Sequence, residues 1–173
     1  IIFILIFSIN TAASQSRIKI LEVSNKVIQN NWNNFFEMLS IPNDGYDSPN
    51  IENNIIWCEE TFSDLGFNVE RVNAESTTPS MPNHPLLIAN KFVSKKYKTV
   101  LIYFHMDGQP VDPSKWNQKD PFIPILTENI DGNWIEIDRD RINYNPDPDW
   151  RIFGRSTSDD KGPPMMLVNA LKI

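Results

Sequence analysis

The sequence predicts a layered α/β domain, and three observations point there. Helix-period apolar residues fill two stretches in the first half of the chain. A glycine closes the second of them, after which the period shortens to two. A nearly continuous apolar run, Thr99–Phe104, then follows, as in a strand covered on both faces. The bulk figures suit such a domain. With 173 residues, 40% apolar and 22% charged, the chain is long enough for one core and too apolar for wholesale disorder.

Taken in order, Gln15 or Ser16 opens a helix expected to run to about Leu39, with Ile20, Val23, Val27, Trp32, Phe35, Phe36 and Leu39 at helical spacing. Ile41-Pro42-Asn43-Asp44-Gly45 breaks it. A second helix is expected from Asn50, as N-cap, to Leu65, with Gly66 at the position that follows a helix end. Its apolar positions are Ile51, Ile55, Ile56, Cys58, Thr61, Phe62 and Leu65. Phe67–Val72 alternates like a half-buried strand, and Leu86–Ala89 is a short apolar run. Between Met106 and Trp150 the chain is rich in Pro, Asp and Asn. Short strands are expected near Ile123–Leu126 and Asn133–Asp138, turned by Asp131-Gly132, with another at Arg151–Phe153. Gly162–Ile173 reads as a helix with Pro163 and Pro164 in its first turn, where a missing N–H costs little.

Charge and cysteine content narrow the function classes. A net charge of -6 argues against nucleic-acid and anionic-membrane partners, which call for a basic patch. One cysteine, Cys58, forbids an intrachain disulfide and a Cys-rich zinc module; it reads as a small core residue. The two histidines, His84 and His105, limit any metal site built within the chain.

The chain opens with nine largely apolar residues, Ile1–Ile9, too short for a bilayer span of about 20 but of the length of a secretory signal core. Ala12-x-Ser14 offers a small-x-small cleavage site before Gln15; a buried N-terminal strand is the alternative. Residues 1–16 are therefore read as a truncated signal peptide, giving an exported, periplasmic or secreted, protein without a stable membrane anchor. The apolar pattern at Leu171-Lys172-Ile173 has no Gly or Asn cap, so the chain is read as a fragment of a longer protein, with 17–173 one part of a domain.

Two clusters carry chemistry. The apolar run delivers His105-Met106-Asp107-Gly108-Gln109-Pro110 to what would be the carboxyl edge of a sheet, where α/β sites form. A metal-binding imidazole commonly gives its other N–H to a carboxylate, and His-x-Asp contains both parts, although taken alone a loop histidine with an incidental Asp is the commoner case. Gly154-Arg155-Ser156-Thr157-Ser158-Asp159-Asp160-Lys161-Gly162-Pro163 leads into the last helix. Its carboxylates suit helix capping as well as metal bridging.

Together, with Trp116 and Asp120-Pro121-Phe122 between them, the clusters resemble metallopeptidase family 20, which includes carnosine dipeptidases, glutamate carboxypeptidases, aminoacylases and acetylornithine deacetylases. The matching stretches are Val100–Pro110, Trp116–Pro124 and Arg151–Pro164. Gln109-Pro110 and Asp-Asp-Lys-Gly-Pro look most like the dipeptidase branch. The resemblance covers about Arg17 to Ile173. It implies a zinc-exopeptidase-like fold, a mixed sheet flanked by helices, incomplete here at its C-terminus. It implies two divalent metal ions, zinc with manganese or cobalt as alternatives. His105 would ligate one, Asp159 would bridge both, and Asp107, the catalytic assignment, would hold the imidazole. Asp160 follows the bridging residue, where the family often has a cis peptide. Ser156 departs from the Gly of many relatives.

The family's downstream Glu-Glu pair, further carboxylate and distant His have no counterpart assigned here. Glu59-Glu60 lies in the wrong order and reads as a solvated helix face. His84 reads as a surface or turn residue, and Trp116 and Phe122 as loop anchors. The resemblance thus implies the front part of a two-metal hydrolase acting on dipeptides or small peptides, its parent often dimeric through an inserted domain. This chain alone would bind metal weakly and be inactive. The alternatives are an N-acyl amino acid deacylase of the same family and a non-catalytic binding protein retaining the fold.

Overall fold

A computed structural model describes residues 17–173 except Ala74, Ser76, Thr77, Pro79 and Met81. The signal-like stretch 1–16 lies outside the described residues. The expected first helix is two: α1 at residues 17–29 and α2 at Trp32–Ser40. Asn30 and Asn31 divide them, because short amides bond locally and favour helix ends over interiors. Asn31 is buried; its amide donates to the Asn169 side chain and its oxygen accepts from Lys172 Nζ at 2.7 Å. That anchorage fixes the break against the last helix. Ile20 of α1 is exposed, and the core is reached from α2, where Phe35, Phe36, Met38 and Leu39 are buried and Trp32 packs partly buried against them.

Helix α3, Ser48–Asp64, has its N-cap three residues ahead of the expected Asn50. Asp47 is the N-cap, its carboxylate accepting the Asn50 amide at 3.2 Å, and Pro49 fits in the first turn. Ile51, Asn54, Ile55, Cys58 and Phe62 are buried along it, while Ile56 faces out. Gly66 ends it as expected, at φ 79. The Phe67 amide reaches back to Phe62 O (3.0 Å) and the Gly66 amide to Ser63 O (2.8 Å), and the two Phe rings meet edge-on at 5.7 Å.

Strands β1 (Asn68–Val72) and β2 (Leu86–Asn90) pair antiparallel from Asn68–Asn90 to Val72–Leu86. Val69, Leu87 and Ala89 pack towards the core. The expected strand Thr99–Phe104 is absent. Among the described residues no strand pairs with this run, and Val100, Leu101, Ile102 and Tyr103 are exposed, Leu101 at 93%. An apolar run becomes a covered strand only when neighbours supply hydrogen bonds and cover its faces. Only its last residue is engaged: Phe104 stacks on Phe62 with centroids 6.1 Å apart.

A second antiparallel sheet has the order β4–β3–β5, with β3 at Ile125–Ile130, β4 at Asn133–Ile137 and β5 at Arg151–Phe153. Asp131 (φ 51) and Gly132 (φ 85) turn its hairpin as expected for Asp-Gly. Helix α4, Gly162–Leu171, carries Pro163 and Pro164 in its first turn. The domain is α/β. Helix α2 lies between two core clusters. Phe35, Met38 and Leu39 join Cys58 and Phe62 of α3 and Met165 and Val168 of α4, while Phe36 joins Leu126 of β3 and Ile142. Each such large side chain contributes about 1.5–3 kcal/mol of burial. Among the described residues no helix is long and apolar enough to cross a membrane.

Candidate metal centre

His105, Asp107, Asp159 and Asp160 come together from the two sequence clusters. Asp44 and Gly108 form an isolated parallel bridge: the Gly108 amide donates to Asn43 O at 2.6 Å and the Gly45 amide to Gly108 O at 3.0 Å. This clips the loop after His105 to the segment that follows α2. On the other side, the Arg155 amide donates to Pro121 O at 2.7 Å, and its Nη2 donates to Gln109 O at 2.7 Å.

His105 Nδ1 lies 2.9 Å from the backbone carbonyl of Asp107. A carbonyl only accepts, so Nδ1 carries the hydrogen and Nε2 of the neutral ring presents its lone pair. That lone pair faces Asp159 Oδ1 at 3.2 Å, with Asp160 Oδ2 at 3.9 Å. Two acceptors at this distance repel unless a proton or a cation lies between them. The Asp107 carboxylate, expected to hold the imidazole, stands back at 3.5 Å from Nδ1; its backbone oxygen makes the closer contact. Asp160 turns inward and its carboxylate accepts the His105 backbone amide at 3.3 Å, while Asp159 is 87% exposed at its side chain. The Asp159–Asp160 peptide is cis.

The His105 pKa is raised. Partial burial pulls it down, but the Asp107 carbonyl and the carboxylates of Asp160, Asp107 and Asp159 outweigh that. The same donors suit a divalent cation in kind. Zinc holds imidazole nitrogen and carboxylate oxygen each at about 2.0–2.2 Å, which at a tetrahedral angle separates them by roughly 3.4 Å. The observed 3.2 Å is close to that spacing. Among the described residues no three His, Cys, Asp or Glu side chains converge as a metal-binding group.

Several residues act here that the sequence reading assigned elsewhere. Asn43, read only as part of a helix breaker, is wholly buried beneath the centre. So is Lys161, whose Nζ donates to Ile41 O and, at 2.7 Å, to Met38 O at the end of α2, where Met38 O also accepts the Ile41 amide at 3.3 Å. Burial pushes the Lys161 ammonium down to about 7, against a smaller upward pull from the neighbouring Cys58. His84, expected at a surface or turn, is half-buried and its Nε2 donates to Gly45 O at 2.7 Å. The one available signal was position: Lys161 adjoins the acidic pair, and Asn43 sits in the break before α3. Glu59 is held on the surface by a two-pronged contact with Arg71 of β1 at 2.6 Å, away from the metal chemistry. Trp116 and Phe122 are half-buried in the loops, and Cys58 is in the core.

No protein-family model and no curated protein matches this sequence. A solved structure of the di-peptidase Dug1p from Saccharomyces cerevisiae is similar in fold, with a TM-score of 0.60 at 20% identity over 88% of this chain. The likeness is one of architecture. The chain spans 30% of the length of that di-peptidase structure.

Proposed function

We propose that this chain is the N-terminal part of a family 20 metallopeptidase, and that His105 and Asp159 hold a divalent cation, zinc in the first instance. The observation that carries the reading is the approach of His105 Nε2 to Asp159 Oδ1 at 3.2 Å, with Nδ1 turned to the Asp107 carbonyl, a geometry that calls for a positive charge between the ring and the carboxylate. The fold likeness to a di-peptidase supports it independently of the motifs.

Each residue then has a defined task. The Asp107 carbonyl fixes the His105 tautomer, so that Nε2 is the donor. Asp160 holds the backbone of His105 in place. Asp159, with its carboxylate 87% exposed, would supply the carboxylate that holds the cation. When bound by His105 and Asp159, a divalent cation such as zinc would supply Lewis acidity for a substrate carbonyl and for activation of water near neutral pH. The whole protein would hydrolyse the peptide bond of dipeptides or small peptides, substrates small enough to approach an open, carboxylate-rich centre.

The test is an assay of the complete reading frame against dipeptides and acetyl amino acids, before and after exhaustive metal removal. Dipeptide hydrolysis that disappears with the metal and returns with zinc is expected. Activity that survives metal removal, or that vanishes for no metal yet is unaffected by His105→Ala, contradicts the proposal. Preference for acetyl amino acids would move the substrate class to deacylation with the same centre.

A further inference from the structure

We propose that Asn43 is a positioning residue that sets the spacing of His105 and Asp159 by tying their two loops to one fixed point. Asn43 is 0% exposed and bonds to both loops. Its Nδ2 donates to Met106 O at 2.7 Å, on the residue between His105 and Asp107. The same nitrogen donates to Ser156 Oγ at 3.0 Å, and the Ser156 hydroxyl returns a bond to Asn43 Oδ1 at 3.1 Å. The backbone carbonyl of Asn43 takes the Gly108 amide. Because Met106 O only accepts, the amide has one workable orientation, and Oδ1 must face Ser156.

The anchor is itself immobilised from three directions. Lys161 Nζ holds Met38 O and Ile41 O, Asn54 Nδ2 donates to Pro42 O at 2.7 Å, and His84 holds Gly45 O. On the far side, Ser156 O accepts the Lys161 amide at 2.9 Å, which closes the turn containing Asp159 and Asp160. The path from one member of the pair to the other thus runs Met106, Asn43, Ser156, Lys161.

Ser156 makes sense in this light. It adopts φ 61, a left-handed backbone that is unfavourable for an L-residue and that glycine adopts freely. A glycine would lack the hydroxyl that engages Asn43. A Cβ at Gly108 would in turn lie 3.2 Å from both Asn43 Nδ2 and Ser156 Oγ, so the two loops close on the amide without slack.

The spacing is read from the polypeptide alone; its use for metal rests on the proposed function. The test combines amide exchange with zinc titration on the 173-residue chain carrying Asn43→Ala, Ser156→Ala or, as a control of mild core damage, Ile142→Val. Asn43→Ala is expected to speed exchange at the Gly108 and Lys161 amides at least tenfold while β3 amides keep their protection. Ser156→Ala, which leaves the Met106 bond intact, is expected to speed Lys161 alone. Both should weaken zinc binding at least fivefold, and Ile142→Val should do neither. Should Asn43→Ala fail to fold, Ser156→Ala decides. Exchange that rises evenly into β3, loops that do not respond, or variants that bind zinc as tightly as the parent would overturn the positioning role. If the parent chain takes up no zinc, the metal reading fails while the exchange result still decides the role of Asn43.

Discussion

Two consecutive segments of this chain, 99–104 and 105–109, are held in opposite ways. The first is apolar and reads as a strand, yet most of it is exposed, Leu101 at 93%. The second is polar and irregular, yet it is fastened by Asn43 at Met106 and Gly108, by Gly45 at Gly108 and by Arg155 at Gln109. Phe104, stacked on Phe62, is the hinge between them. The lesson is that the place of His105 is not set by the apolar run that precedes it. It is set by polar tethers from the segment after α2, and the carboxylates opposite are held to that segment by Ser156 and Lys161.

The contrast breaks most visibly at Lys161. Replacing it with Met removes the donor to Ile41 O, which costs about 1–3 kcal/mol if left buried and unpaired, and one of two donors to Met38 O, which keeps the Ile41 amide at 3.3 Å. Lys161→Met should therefore lower unfolding free energy by roughly 2–4 kcal/mol in urea titration. Next comes Gly108→Ala, whose new methyl meets Asn43, Ser156 and Arg155 at 3.2–3.3 Å. A loss of about 1–3 kcal/mol is expected from such overpacking. An unchanged midpoint would mean that the loop has slack.

A chemical probe sharpens the same comparison. Burial pushes the Cys58 thiol up to about 12, against about 8.5 for a solvated thiol. Native Cys58 should resist iodoacetamide at pH 8.5, while Leu101→Cys should react within the same incubation. Because the folded value is the higher one, stability contributed by Cys58 is complete below about pH 8.5 and is lost as pH rises towards about 12. Substituting Cys58 by Ala should flatten that alkaline decline. The smallest effect on stability belongs to the exposed run. Leu101→Lys and Ile102→Lys should change unfolding free energy by less than about 0.5 kcal/mol while raising solubility. A larger loss would show that the run is covered in solution.

Much of this was legible in the sequence, and the reasons are local. Gly66 after a helical pattern, Asp131-Gly132 between strands, and Pro163-Pro164 at a helix start are decided by backbone conformation within a few residues. The His-x-Asp and Asp-Asp clusters were legible because their residue types are unusual together. What was not legible depended on distant partners. Asn31 breaks the first helix because Asn169 and Lys172 are there to bond it. Thr99–Phe104 looks like a strand because periodicity reports composition and not the presence of a neighbour. Asn43 looked like a turn former, and only the approach of Met106 and Ser156 makes it a hub. The Asp107 carboxylate was expected on the imidazole, and the nearer backbone oxygen of the same residue makes that bond.

The central claim is that His105 and Asp159 share a cation. It is tested most directly by following the ring nitrogens of His105 by NMR during a zinc titration of the chain and of Asp159→Asn. The account predicts a saturable shift at Nε2, with Nδ1 still protonated, and its loss or marked weakening in Asp159→Asn with the fold intact. A His105 Nε2 that ignores zinc, or that responds equally with and without the Asp159 carboxylate, would contradict it.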